Sequence, residues 1–327
     1  MKFRTEVEIN ASGKKIDYST PVILTGSCFA EEIGRQFSYG KLPVLTNPFG
    51  VLYNPFSTAH SLELIMEGRE YREDDLFKYE GRYLSFSHDT GFSSRDPEES
   101  LDKINRSLRA ANIFLEEASF LFITFGTAWV YRWKDDNRVV ANCHKIPAAK
   151  FSRQLLKQED ISSRWLDIIE RLRNFNSELK IVFTISPVRH LKDGAHGNQL
   201  SKSTLLLAIN ELVNQNNSLS YFPSFEIMLD ELRDYRFYKK DMVHPSESAV
   251  DYMWEKFSQS YFTEETAGIY ERVKKISSAT EHILMGNDDV DLKRFSRSML
   301  DKIENLRNDY PFVDLVREEE YFRNILK

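Results

Sequence analysis

A chain of 327 residues that is 41% hydrophobic and 13% aromatic can bury a full core, as one large domain or as one domain with an appendage. Its formal net charge of −6 mixes 44 basic with 50 acidic residues, so neither a nucleic-acid footprint nor a basic membrane-binding face is expected. No apolar run reaches membrane-spanning length, the N-terminus lacks the apolar core of a secretory signal, and two distant cysteines, Cys28 and Cys143, form no disulfide framework, which together make a reducing, cytoplasmic setting the expectation.

The first pattern in chain order is Pro21-Val-Ile-Leu-Thr-Gly-Ser-Cys-Phe-Ala30, an apolar run that stops at Thr25-Gly26 and passes into a helix marked by Ala30, Ile33 and Phe37. Leu42 to Leu45 reads as a second short strand opening into an ordered loop, Asn47-Pro-Phe-Gly50 and Tyr53-Asn-Pro-Phe. An excursion from the main sheet covers residues 55–118, with a helix over 57–68 and a hairpin over 77–86 interrupted at Glu80-Gly81. Within it, Asp96-Pro97-Glu98-Glu99 gives an N-cap, a proline at the first helical position and acidic residues in the first turn of a long helix. Leu101, Ile104, Leu108, Ala111, Leu115 and Ala118 form its apolar face.

Residues 120–125 read as a buried strand, ending at Gly126-Thr127-Ala128-Trp129. The segment from there to Lys150 includes a turn at Asp135-Asp136-Asn137 and then Asn142-Cys143-His144-Lys145. A helix over 162–175, a strand over 181–185 that ends in Ser186-Pro187-Val188-Arg189-His190, and a helix over 203–212 follow. Residues 220–223 make a weak strand because of Pro223, and a helix is expected over 227–232. Val250, Met253, Trp254 and Phe257 mark a helix after Ser246, and from 263 onward the chain reads as three charged helices.

Strands alternating with helices predict a three-layer, flavodoxin-like α/β fold over residues 1–262, with a mainly parallel sheet and helices on both faces. Residues 263–327 form a helical appendage that packs back or mediates self-association. Ligands of such sheets bind beyond the carboxyl ends of the strands, which gathers Ser27, Asn47, Gly50, Gly126, His190 and the 241–246 segment at one mouth.

A serine there becomes a nucleophile only if a histidine takes its proton, and Asp241-Met-Val-His244-Pro-Ser246 supplies a histidine with a carboxylate three residues before it. Each part also has a plain structural reading, Ser27 and Ser246 as helix caps and Asp241 as a turn residue. The topology is what joins them. Cys28 is a second nucleophile in principle, ranked below Ser27 because its side chain points elsewhere on the turn. Arg189 and His190 are placed to bind an anionic substrate group or to orient a second proton transfer, with a structural salt bridge the plainer reading of Arg189, and His144 with Lys145 reads as a rim contact or a solvated loop. Cys143, His144 and Cys28 would supply three soft metal ligands, but without paired cysteines at zinc spacing neither metal nor cofactor is expected.

Gly26-Ser27-Cys28-Phe29-Ala30 resembles the signature of the GSCFA domain family, which is similar to the SGNH, or GDSL-type, hydrolases, and Asp241-Met-Val-His244-Pro245-Ser246 matches the final block of that superfamily. The resemblance implies a serine esterase or acyltransferase acting on an O-acyl ester, carbohydrate esters included, with Ser27, His244 and Asp241 as its triad. It also implies an oxyanion hole from the N–H groups of Ser27 and of a glycine, here Gly50, with an asparagine side chain after the third strand. Two blocks depart from the pattern: Gly-Asp-Ser reads as Thr25-Gly26-Ser27, and Gly-x-Asn-Asp reads as Gly126-Thr127-Ala128-Trp129. The asparagine is missing, with Asn47 and Asn142 as substitutes, and a binding module for a glycan or small ligand on the same fold is the alternative.

Overall fold

The computed structural model describes residues 5–10, 12–281 and 289–327. The chain divides into two compact units, the first made of residues 1–9, 21–34 and 44–255 and the second of residues 10–20, 35–43 and 256–327. The start of the charge-alternating N-terminus, residues 1–4, lies outside the described residues.

The first unit is built on a parallel five-stranded sheet of order β10-β9-β5-β1-β2. Its strands are β1 (Val22–Gly26), β2 (Val44–Thr46), β5 (Phe120–Phe125), β9 (Lys180–Ile185) and β10 (Leu219–Phe222). Counting only these strands, the order is that of the flavodoxin-like doubly wound fold. Ile23, Leu121, Ile123, Phe125, Ile181, Phe183 and Ile185 share one core with helices α2 (Pro55–Glu67), α3 (Pro97–Glu117), α4 (Gln158–Phe175) and α5 (Gly194–Asn214). The alternate residues Val22, Leu24, Phe120, Phe122 and Val182 are equally buried, so both faces of the sheet are covered. Helix α1 (Cys28–Tyr39) follows β1, and α7 (Glu247–Tyr261) follows the 237–246 segment.

Local chemistry sets the helix starts. Asp96 accepts the N–H of Glu98 ahead of Pro97, and Asn54 accepts the N–H of Ser57 ahead of Pro55. The hairpin β3 (Phe77–Tyr79) to β4 (Arg82–Leu84) turns on Glu80 and Gly81, both left-handed at φ 47° and 73°.

Three departures from the sequence reading matter. The segment to Lys150, where the sequence marks a turn but no strand, carries two strands of an antiparallel sheet, β7-β6-β8, formed by β6 (Trp129–Trp133), β7 (Val139–Val140) and β8 (Phe151–Leu155). Its register pairs Trp129 with Leu155 and Tyr131 with Arg153 on one face, and Val130 with Gln154 and Arg132 with Ser152 on the other. The helix expected over 227–232 is a short α6 (Ser224–Glu226) running into a π-helical turn, Ile227–Glu231. β10 survives its proline because Pro223 lies one residue past an edge strand.

The second unit is helical. α8 (Glu264–Glu281), α9 (Asp289–Asp309) and α10 (Val316–Ile325) close a core of Ile269, Val273, Ile276, Met299, Ile303, Leu306, Leu315 and Phe322. Residues 35–43 belong with it, through the Tyr270 hydroxyl on Gln36 and the Lys41–Glu318 ion pair at 2.7 Å. No helix of the described residues is long and apolar enough to cross a membrane.

The tightest point of the sheet is the end of β1. Gly26 has φ +125°, and a Cβ there would lie 2.1 Å from the carbonyl oxygen of Thr124 on β5. Gly26→Ala therefore meets both a forbidden backbone and a backbone clash, and is expected to destabilise the first unit by more than about 1 kcal/mol, read as a lower melting temperature with unchanged helix content below it.

Candidate active site

The carboxyl ends of β1, β5 and β9 open into a cleft of about 650 Å³. It is lined by Cys28, Tyr53 and Asn54, by Trp129, Tyr131, Phe151 and Arg153 of the antiparallel sheet, and by Arg189, His190, Lys192 and His244.

The junction at β1 is held by backbone bonds. The N–H of Gly26 donates to Asn47 Oδ1 at 2.9 Å, its carbonyl accepts the N–H of Leu52 at 2.8 Å, and the N–H of Ser27 donates to Thr124 O at 3.0 Å. Ser27 itself is wholly buried, and its Oγ accepts the N–H of Phe29 at 3.3 Å, the position of a helix cap. Among the described residues no hydrogen bond joins Ser27 to His244, and Ser27 does not line the cleft. The residue that lines it is Cys28, a free and half-buried thiol at the first turn of α1. Burial pushes the Cys28 thiol up, with its own backbone N–H and Lys202 opposing the shift and Glu31 and Glu32 adding to it.

Asp241 and His244 meet in a turn between Phe237 and Ser246. Tyr238 bridges Pro245, the N–H of Lys239 donates to His244 O at 2.7 Å, and Met242 takes a left-handed φ of 59°. Asp241 Oδ1 accepts the N–H groups of Val243 and His244, while Oδ2 contacts His244 Nδ1 at 2.7 Å. Those two backbone donors, with the imidazole third, hold the Asp241 carboxyl down at about 2. With Nδ1 engaged, Nε2 is the nitrogen left for proton transfer. The turn is fastened beside β9 by the N–H of Arg189 on Val243 O at 3.2 Å, and Ser246 caps α7 through the N–H of Ala249.

The other expected site residues divide. His190 lines the cleft, its N–H donates to Asn198 Oδ1, and its ring stands edge-on to Tyr53 at 5.5 Å. Its Nε2 is buried without a partner, 3.1 Å from where a Cβ on Gly126 would lie. Asn142 and Arg189 also line the cleft. Gly50 does not: its N–H donates to Asn47 O at 2.8 Å and its Cα faces the Asp89 carboxylate, so it has no donor to offer an oxyanion. The N–H groups of Ser27 and Gly126 are likewise engaged, the latter by Tyr53 O at 2.8 Å. Asn47 spends its Oδ1 on Gly26 and keeps a buried, unpartnered Nδ2. His144 turns away from the rim into the Phe77 and Phe86 cluster and bonds Ser85 O at 2.8 Å.

Lys202 escaped the sequence reading. It is fully buried on α5, and its Nζ donates to the carbonyls of Gly126 and Ser186, each at 2.7 Å, which pins together the chain just beyond β5 and β9. Burial pulls it down to about 7. The signal was a lysine on the apolar stripe of a helix, at spacing three and seven from Leu205 and Ile209.

Burial holds both His190 and His88 down to about 3. His88 is stacked on Phe49 with ring centroids 4.3 Å apart, which keeps it in the apolar interior. Unfolding releases both to the ordinary value near ~6.5, so the unfolded chain binds more protons between that pH and about 3. Stability therefore falls as pH drops through this window and is unaffected by these groups above it. Thermal melts from pH 8 to 4 are expected to fall below about pH 6.5, with a shallower slope in His88→Phe.

The model of the GSCFA family matches residues 21–257. Among solved structures the chain is similar to an acetyl xylan esterase from the rumen bacterium Butyrivibrio proteoclasticus, at 11% identity and a TM-score of 0.39, covering 74% of this chain and 63% of that one. No curated protein matches it. With its signature at the β1 to α1 junction and its Asp-x-x-His block beside β9, the chain belongs to the GSCFA family.

Proposed function

We propose that the protein is an acyl-ester hydrolase or acyltransferase in which Cys28 is the nucleophile, His244 the base and acid, and Asp241 the group that orients it. The observation that carries this reading is the thiol of Cys28 on the wall of the cleft that also receives His244, with Ser27 turned inward as a cap. The order glycine, capping residue, nucleophile then runs Gly26-Ser27-Cys28, one residue later than the signature suggests.

Cys28 is protonated at rest, because burial raises its thiol. His244 Nε2 takes the Sγ proton as sulfur bonds to the acyl carbon, and the carbonyl becomes an oxyanion. Collapse expels the ester oxygen, which leaves with the proton returned by His244, and an acyl thioester stays on Cys28. A water or an acceptor hydroxyl then attacks the thioester, His244 removes its proton, and the thiol is regenerated. Asp241, ionised throughout, stabilises the imidazolium at both steps.

Two donors fit the oxyanion. The N–H of Cys28 stands at the start of α1, where helix N–H groups have no helical acceptor. The unpartnered Nε2 of His190, neutral at any ordinary pH, supplies the second where Ala128 stands in place of an asparagine. O-acyl esters, carbohydrate esters included, are the substrate class that this chemistry serves.

Screening short 4-nitrophenyl esters and thioesters, followed by mass spectrometry of the trapped enzyme, tests the assignment. The acyl group is expected on Cys28, and Cys28→Ala is expected to be inert, whereas Ser27→Ala keeps turnover and loses only the cap, about 1 kcal/mol of stability. Acylation that survives Cys28→Ala and vanishes in Ser27→Ala would return the role to the hydroxyl. Adduct formation in neither would leave the cleft a binding site.

His190→Ala is expected to lower kcat by ~100–1000-fold, the usual cost of one oxyanion donor, with KM little changed. His190→Gln, which keeps an N–H, should recover part of it. A loss confined to KM would assign His190 to ground-state binding instead.

A further inference from the structure

The chain is acidic overall, with 50 acidic against 44 basic residues, yet the described residues lining the cleft include Arg153, Arg189 and Lys192 and no aspartate or glutamate. These cations are arranged. The Arg153 guanidinium lies 5.1 Å from the ring centroids of both Trp129 and Tyr131, is tied to Asp193 at 2.5 Å, and leaves its Nε buried without a partner. Lys192 stands over the Tyr131 ring at 4.9 Å and donates to its hydroxyl. Arg189 has no hydrogen-bond or ion-pair partner for its guanidinium among the described residues.

Aromatic faces and the Asp193 pair hold two of the cations in place, so their positions are set before any ligand arrives. A cleft whose walls carry one sign of charge concentrates ligands of the other sign and raises their encounter rate. We propose that this site is built for an acyl ester that carries an anionic group, a carboxylate or a phosphate, received by Arg189, Lys192 and Arg153 while its acyl carbon meets Cys28. The proposal rests on the acyl-transfer reading of Cys28 for its chemistry and on the charge distribution alone for its anion.

The two can fail separately. Alkylation of Cys28 by iodoacetate and by the neutral iodoacetamide, mapped by peptide mass so that Cys143 is scored apart, needs no catalysis. Relative to a small uncharged thiol, the iodoacetate-to-iodoacetamide rate ratio at Cys28 is expected to rise by about tenfold or more, to shrink with added salt, and to return to the reference value in the Arg189→Ala, Lys192→Ala double variant. A ratio equal to the reference thiol, or one that the double variant does not change, overturns the proposal. Turnover of 4-nitrophenyl acetate, 4-nitrophenyl hemisuccinate and 3-carboxy-4-nitrophenyl acetate then tells on which side of the ester the anion sits. Higher kcat/KM for the second places it on the acyl group, and for the third on the leaving group. Equal kcat/KM for all three overturns the proposal, and a raised alkylation ratio with no turnover of any ester upholds the anion site while overturning acyl transfer.

Discussion

The backbone of Gly26 is the constraint on which the cleft depends. Its N–H, its carbonyl and the next N–H are taken by Asn47, Leu52 and Thr124, so the exits of β1, β2 and β5 are joined at one residue. That closeness is open only to glycine, because a Cβ would enter the Thr124 carbonyl. The strand therefore ends at a fixed point, the helix begins one residue later, and Cys28 stands on its first turn with a set direction. As the proposed nucleophile, Cys28 would need little reorganisation when substrate arrives.

Charge is distributed against the average of the molecule. Lys202 lies buried beneath the cleft floor, bound to two main-chain carbonyls, and the walls add Arg153, Arg189 and Lys192. The single carboxylate of the dyad is spent on its own turn and on His244. The field at Cys28 is consequently a balance between burial and the two glutamates of α1, which keep the thiol protonated, and Lys202, which favours the thiolate.

Much of this was legible in sequence where the causes are local. The strands at 22–24, 120–125 and 181–185 are apolar runs that could be buried only on both faces, and Asp96-Pro97 announced its helix by cap chemistry. Asp241 and His244 were legible for the same reason, since a turn with an acidic side chain at its start satisfies its own amides. The direction of a side chain was not. One residue along a helix rotates the side chain by about 100°, so which of Ser27 and Cys28 faces the cleft depended on where α1 begins, beside three backbone bonds to distant residues. Gly50 misled because its N–H is consumed by a loop bond to Asn47 that no motif reveals. The sheet of β6, β7 and β8 was hidden by its short strands, although the turn at Asp135-Asp136-Asn137 between β6 and β7 was legible.

The dyad turn has a further consequence. Asp241 and His244 are joined through bonds that begin and end within the turn, while its tie to the chain after β9 includes the single amide of Arg189 on Val243. The spacing of acid and base is therefore insensitive to small displacements of the turn as a body, whereas the spacing of base and sulfur is not. In the proposed reaction the turn would carry acid and base as one body, and its seat beside β9 would set their reach toward the sulfur.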